Sequence, residues 1–359
     1  MAIQTNNAWP AFPGDEQVEI ASLDTVDFGR LLIRDPAEIK KLLDVCMTHG
    51  FFYLDLQTCK EGLQIIDDEQ SVYRFMEEYF AKSLEIKMLD DRKSFLHGFK
   101  PIGVFTGTKE SHKDAYETLK VKFTIETWNL PEIHSNMRQV AREEMDAKSE
   151  LLPDSVKAKI ELFDRFMGLS NLVNSTLLMC LSDALGLTGS ARLEESHRRD
   201  QKSNTCLVML HYPPTDADSA NIGHNKHTDI GSITLLFSEQ WGLQVFDPET
   251  QAWKFIQPRP HGHATINVGD SLRFLSEKKL YSCLHRVIPP TSDVQTEDRY
   301  SIAYFLRPEN AAVLEDADGK SVAASKWHDD KYVMFGAPHE EQDKATILTG
   351  GMETILGRA

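Results

Sequence analysis

The sequence has little cysteine, and what it has is not arranged to pair: Cys46, Cys59, Cys180, Cys206 and Cys283 are scattered, odd in number and never spaced as Cys-x-x-Cys. That pattern excludes a disulfide or zinc framework. It suits small buried residues in a reducing compartment, so a cytoplasmic protein is expected. Long apolar runs are missing as well. No window reaches the roughly 18 consecutive apolar residues that a spanning helix needs, and Met1 to Gly14 lacks the basic start and apolar stretch of a signal peptide. Basic residues are in deficit, with 39 Lys and Arg against 55 Asp and Glu, a formal charge of −16. A field of that sign repels phosphate backbones and anionic lipid, so no nucleic-acid or membrane partner is expected. Repeats and low-complexity linkers are absent too, which removes solenoids and any obvious domain cut.

What is present is an ordinary globular composition, 41% hydrophobic and 26% charged, which argues against disorder. At about 150 residues per domain the length of 359 allows two domains. Without a linker, one elaborated domain is the preferred reading. Its first half is mainly helical. Asp35-Pro36-Ala37-Glu38 supplies a cap, a first-turn proline and an acidic third position ahead of Ile39, Leu42, Leu43, Cys46 and Met47, a helix that ends near Gly50. Phe51 to Leu56 suits a strand. Val72, Phe75, Met76, Tyr79 and Phe80 mark a second helix, and a long third one runs from about Pro153 to Leu185, where Gly186 stops it. Leu96 to Trp128 has no sustained period and reads as strand and loop at the rim of a site.

From Cys206 onward the apolar runs become short and rich in β-branched and aromatic residues. Strands are expected at Cys206 to Tyr212, Ser232 to Phe237, Leu243 to Phe246, Thr265 to Val268, His285 to Ile288 and Tyr300 to Leu306. Short strands at close spacing suggest a sandwich or jelly roll. The expected architecture is therefore α+β with a β-rich core: a helical layer over residues 18–130, a long central helix, a jelly roll over residues 200–310, and a helical tail over residues 326–359. The tail serves as a lid or as a cap.

The chemistry begins at His227-Thr228-Asp229. In extended chain, residues two apart point to the same side, so imidazole and carboxylate converge. His285 opens another expected strand 56 residues after Asp229, enough chain to cross a β-sandwich and return opposite. Two His and one carboxylate form the facial triad of non-haem Fe(II) oxygenases, with positions left open for co-substrate and dioxygen. His211 and His224 lie nearby and compete for the ligand role. Further on, period two places Arg299, Ser301, Ala303 and Phe305 on one face of a strand. A buried arginine is costly unless paired, so Arg299 requires either a protein carboxylate or the carboxylate of a ligand, held bidentately with the Ser301 hydroxyl beside it. Tyr212, at the end of an apolar wall of Cys206, Val208 and Leu210, donates either to that same carboxylate or to a backbone carbonyl.

Taken together, Tyr212-Pro213, His227-x-Asp229, Gly242-Leu243-Gln244-Val245, Asn267-Val268-Gly269-Asp270, His285-Arg286-Val287 and Arg299-x-Ser301 closely resemble the Fe(II)/2-oxoglutarate-dependent dioxygenases of the isopenicillin N synthase-like superfamily. Val18 to Asp24 looks like that family's opening strand. His49-Gly50-Phe51-Phe52 is similar to its His-Gly-Phe-Phe signature, and Phe80 to Met88 with His97-Gly98-Phe99 to its helix end and glycine turn. The resemblance covers about residues 18 to 310. One departure is Leu210, where many members have Asn, so a polar contact made there in relatives is lost.

The resemblance implies a distorted double-stranded β-helix, cupin-like, flanked by helices. It implies Fe(II) bound by His227, Asp229 and His285, and 2-oxoglutarate held by Arg299 and Ser301 with help from Tyr212. The implied reaction converts 2-oxoglutarate and O2 to succinate and CO2 while a small organic molecule of specialised metabolism is hydroxylated, desaturated or rearranged. Pocket candidates are Phe305, in phase with Arg299 and Ser301, and Phe246 and Phe105, for which core packing is the alternative. Two other readings stay open: an Fe(II) oxidase or cyclase in which Arg299 and Ser301 hold the substrate's own carboxylate, and a non-enzymatic metabolite-binding module. Oligomeric state and substrate identity have no signal in the sequence.

Overall fold

Asp35 heads the first long helix in the computed structural model, which describes residues 9–14, 17–92, 94, 97–104, 116–122, 152–214, 224–290, 297–342 and 344–352. Its carboxylate accepts from the amides of Ala37 (2.9 Å) and Glu38 (3.1 Å), and the helix Pro36–Thr48 buries Leu42, Val45 and Cys46. Gly50 then turns the chain straight into a strand. Its φ is +64°, and a Cβ there would lie 1.9 Å from the Tyr281 carbonyl oxygen, so only glycine fits. The helix expected around Val72 to Phe80 starts earlier, at Lys60, because Cys59 accepts from the Gly62 amide at 3.4 Å and caps it. The helix expected from Pro153 is divided into a turn, Asp154–Lys157, and the long helix Ile160–Ala184.

The strands are β1 (Thr25–Asp27), β2 (Phe51–Asp55), β3 (Gly98–Lys100), β4 (Glu117–Val121), β5 (Cys206–Tyr212), β6 (His224–His227), β7 (Ile233–Phe237), β8 (Leu243–Asp247), β9 (Ala252–Phe255), β10 (His263–Val268), β11 (His285–Val287), β12 (Arg299–Leu306), β13 (Val313–Glu315) and β14 (Ser321–Ala323). Eight form one sheet in the order β1-β2-β10-β7-β12-β5-β4-β3, four form a second in the order β6-β11-β8-β9, and β13 and β14 form a hairpin. β1 pairs parallel with β2, and the other pairs of the two main sheets are antiparallel. Phe51 and Tyr53 of β2 pack against Leu243 and Val245 of β8, so the inner faces of the two sheets meet. This is a jelly roll with α+β content.

Alternation along β12 decides what faces where. Tyr300, Ile302, Tyr304 and Leu306 pack outward against the helical layer, where Asn171 of the long helix donates to the Tyr304 hydroxyl at 3.3 Å and Phe166 meets Phe237. Arg299, Ser301, Ala303 and Phe305 are left for the inside. The helices therefore bury one face of the large sheet and free the other for chemistry.

One expectation needs correction. Val18 to Asp24 is not a strand: Ile20 makes an isolated bridge to Phe255, with Ala21 donating to Phe255 and Phe255 to Glu19, both at 2.8 Å. Strand pairing begins at Thr25, against Tyr53. The segment passes from the edge of the small sheet to the edge of the large one, so it cannot stay in one ladder. Among the described residues no helix is long and apolar enough to cross a membrane.

Candidate metal centre

Strand pairing brings the two histidines together, because β6 and β11 run antiparallel with His285 directly opposite His227. Asp229 follows β6 and turns back between them. Its Oδ1 lies 3.7 Å from His227 Nε2 and 3.6 Å from His285 Nε2, and one donor atom from each residue lies within 4.8 Å of the others. All three side chains are buried.

The remaining polar atoms of the three residues are tied elsewhere. His227 Nδ1 donates to the Asn225 carbonyl (2.8 Å) and His285 Nδ1 to the Cys283 carbonyl (3.1 Å). A carbonyl only accepts, so the proton sits on Nδ1 and Nε2 is the nitrogen turned toward Asp229. Asp229 Oδ2 accepts from Thr234 Oγ1 (2.5 Å) and Asn267 Nδ2 (2.7 Å), which leaves Oδ1 facing the imidazoles. Such outer partners orient ligands and set their basicity.

The electrostatics agree with the geometry. Burial, with His224 and His285 adding repulsion, holds His227 well below the ordinary imidazole range. For Asp229 burial works upward, but the facing His285 and His227 rings and the Asn267 donor outweigh it and keep the carboxyl below its usual range. A neutral His227 nitrogen and an ionised Asp229 carboxylate suit an Fe(II) ion, which takes deprotonated donors from a two-histidine, one-carboxylate set. The donor set fits that ion.

The competing histidines are placed elsewhere. His224 stacks on His227 at 4.1 Å, enclosed by Tyr116 and Phe335, and burial drops its pKa to about 3. His211 faces the helical layer, between Glu117 (2.8 Å) and Asp298 (2.6 Å).

β12 pairs with β5 so that Arg299 lies opposite Tyr212 and Ser301 opposite Leu210. The Arg299 guanidinium lies 5.0 Å from the centre of the Tyr212 ring, and it donates to the Trp241 carbonyl (3.1 Å) and Ser238 Oγ (3.2 Å). Ser301 Oγ reaches the same Ser238 hydroxyl at 3.4 Å. Arg299 is only 2% exposed, and among the described residues no carboxylate pairs with it. Burial pulls its pKa below the ordinary value, with Tyr212 and Tyr73 acting against that.

Beside these three residues lies a pocket open to solvent on one side, and Phe305 lines it. Phe246 does not. Val245, opposite His285, takes the inward position on β8, so Phe246 points to the other face and packs with Leu284, Met352 and Trp253. Phe105 lies outside the described residues. Reasoning from sequence missed Lys120, Arg307, Tyr332 and Phe335, which also line the pocket. For Arg307 the signal was there, since it continues the period-two face of β12 beyond Phe305. For Lys120 and the two tail residues there was none, because β4 and the tail lie far from the motifs in sequence.

Residues 203–308 match the 2OG-Fe(II) oxygenase superfamily. The 2-oxoglutarate-dependent dioxygenase FG08081 of Gibberella zeae is 40% identical over 339 residues, 94% of this chain and 95% of its own length. The 2-oxoglutarate-dependent dioxygenase iboH of Amanita muscaria is 58% identical over 207 residues, 57% of this chain and 100% of its own. In fold, the chain is similar to a full-length Neurospora crassa protein crystallised in complex with alpha-KG, at TM-score 0.66 and 21% identity over 90% of this chain and 98% of that one. The chain belongs to the Fe(II)/2-oxoglutarate-dependent dioxygenases, enzymes that use Fe(II), 2-oxoglutarate and O2.

Proposed function

We propose that His227, Asp229 and His285 hold the Fe(II), that Arg299 and Ser301 bind the distal carboxylate of 2-oxoglutarate with Tyr212 alongside, and that the substrate is a small organic molecule of specialised metabolism. The observation that carries this is the convergence of Asp229 Oδ1 on two imidazole Nε2 atoms while every other polar atom of the three side chains is tied back to the protein. When bound, the iron and 2-oxoglutarate supply oxidation by O2 of an unactivated carbon, with release of succinate and CO2.

The chain's own part is positional. Asn225 and Cys283 fix the imidazole tautomers, and Thr234 and Asn267 fix the carboxylate. Arg299, buried and without a carboxylate among the described residues, offers its fork to an incoming one, and Ser301 adds a hydroxyl on the same face. Phe305 presents an apolar ring to the pocket. On this reading the whole chain works as one catalytic domain in the cytoplasm, a setting supported by five free cysteines.

The test is turnover of 2-oxoglutarate to succinate by anaerobically iron-loaded protein exposed to air with a broad panel of small molecules. Succinate formation that disappears in His227→Ala is expected. Absence of 2-oxoglutarate binding in calorimetry, together with absence of succinate, would overturn the reading.

A further inference from the structure

The pocket beside the metal centre combines aromatic rings with two cations. Phe305 and Phe335 contribute apolar rings, Lys120 and Arg307 contribute charge, and among the described lining residues Asp229 is the only carboxylate. Asp229 is committed elsewhere, since its Oδ2 is taken by Thr234 and Asn267 and its Oδ1 faces the histidines.

Arg307 is the more informative of the two. It continues β12 one residue past Leu306, and its guanidinium lies 5.3 Å from the centre of the Phe305 ring. The residue is 8% exposed. Nη1 donates to the Asn204 carbonyl oxygen and to Cys206 Sγ, both neutral acceptors. Among the described residues, the buried Nε has no hydrogen-bond partner and no carboxylate pairs with Arg307. The fully buried Arg259 provides the contrast, because the Glu69 carboxyl lies against it. The fold also makes room for Arg307: a Cβ on Gly231 would sit 3.0 Å from its Cγ.

A buried guanidinium with only neutral partners is unfavourable until an anion arrives. In a chain of net charge −16, any anionic ligand also needs local cations to enter. We infer that the substrate is a small carboxylic acid whose carboxylate is taken by Arg307 and whose apolar or aromatic body lies against Phe305 and Phe335. Lys120, from β4, adds a second positive charge to the same wall. The inference rests on the assignment of the metal centre made above, and it leaves Arg299 to 2-oxoglutarate.

Matched acids and amides test it. Phenylacetate, 3-phenylpropionate and indole-3-acetate, and the primary amide of each, are titrated by calorimetry into anaerobic protein loaded with Fe(II) and 2-oxoglutarate, after the binding of 2-oxoglutarate itself has been measured. Acids are expected to bind at least about tenfold more tightly than their amides, as a charge-assisted fork requires. In Arg307→Gln the gap should shrink below about twofold, and Arg307→Lys should keep part of it. Equal binding of acids and amides, no binding of any acid, or a full gap surviving in Arg307→Gln overturns the inference. Because the comparison is made first in the wild-type protein, a variant that fails to fold does not decide it. If 2-oxoglutarate fails to bind, the metal-centre reading falls and this inference with it; if it binds and acids are not preferred, only the inference falls.

Discussion

Lys331, inside the tail helix Ala324–Phe335, donates to Asp270 at 2.6 Å, and neither side chain is exposed. The same ammonium reaches Thr228 Oγ1 at 2.7 Å, the residue between His227 and Asp229. Leu348 accepts from the Thr228 amide at 3.0 Å, and Arg273 donates to the Gly350 carbonyl at 2.7 Å. The tail thus packs against the loop that carries His227 and Asp229 from behind while Tyr332 and Phe335 line the pocket in front.

Replacing Lys331 by Met should leave Asp270 buried and unpaired, at a cost of about 3–5 kcal/mol. Urea unfolding of the variant measures it, and a loss under about 1 kcal/mol would mean that the pair contributes as little as an exposed one.

Asn267→Ala should weaken metal binding about 10- to 100-fold, because Asp229 Oδ2 loses the donor that aims Oδ1. Anaerobic Fe(II) titration is the measurement. Unchanged affinity beside lowered stability would make Asn267 a packing residue only.

Arg299→Met should raise the Kd for 2-oxoglutarate by about 30-fold or more, the consequence of losing one partner of a buried charge pair worth about 2–5 kcal/mol. Calorimetry with metal-loaded protein reads it. Wild-type affinity in the variant would remove Arg299 from the co-substrate site.

Stability should fall as the pH drops from about 6.5 to about 4. Burial lowers His197 from 6.5 to about 4, and its two ring nitrogens are engaged by the Leu193 carbonyl (2.7 Å) and Ser232 Oγ (2.6 Å). The unfolded chain takes up a proton near its ordinary value and the folded one resists, so protons favour unfolding across that window and stability is fully present above it. His197→Gln should flatten the slope of unfolding free energy against pH there. An unchanged slope would sink this attribution.

The candidate site was legible where its logic is local. Alternation on β12 separates Arg299, Ser301 and Phe305 from Tyr300, Ile302 and Tyr304, and His-x-Asp spacing places two donors on one side. The same logic placed Gly50 at the turn into β2. It failed for Phe246, where only the pairing of β8 with β11 shows which face meets His285. It also failed for Val18 to Asp24, which divides its hydrogen bonds between two sheets.

The sequence by itself determined the donor types, the inward face that carries Arg299 and Ser301, and the jelly-roll class, since periodicity and close spacing act within a strand or across one turn. Only the tertiary structure decided which histidines converge, that Arg299 and Arg307 lack a carboxylate among the described residues, and that the tail walls the pocket. Those outcomes depend on contacts between segments far apart in the chain, and no local pattern encodes what a buried charge will find beside it.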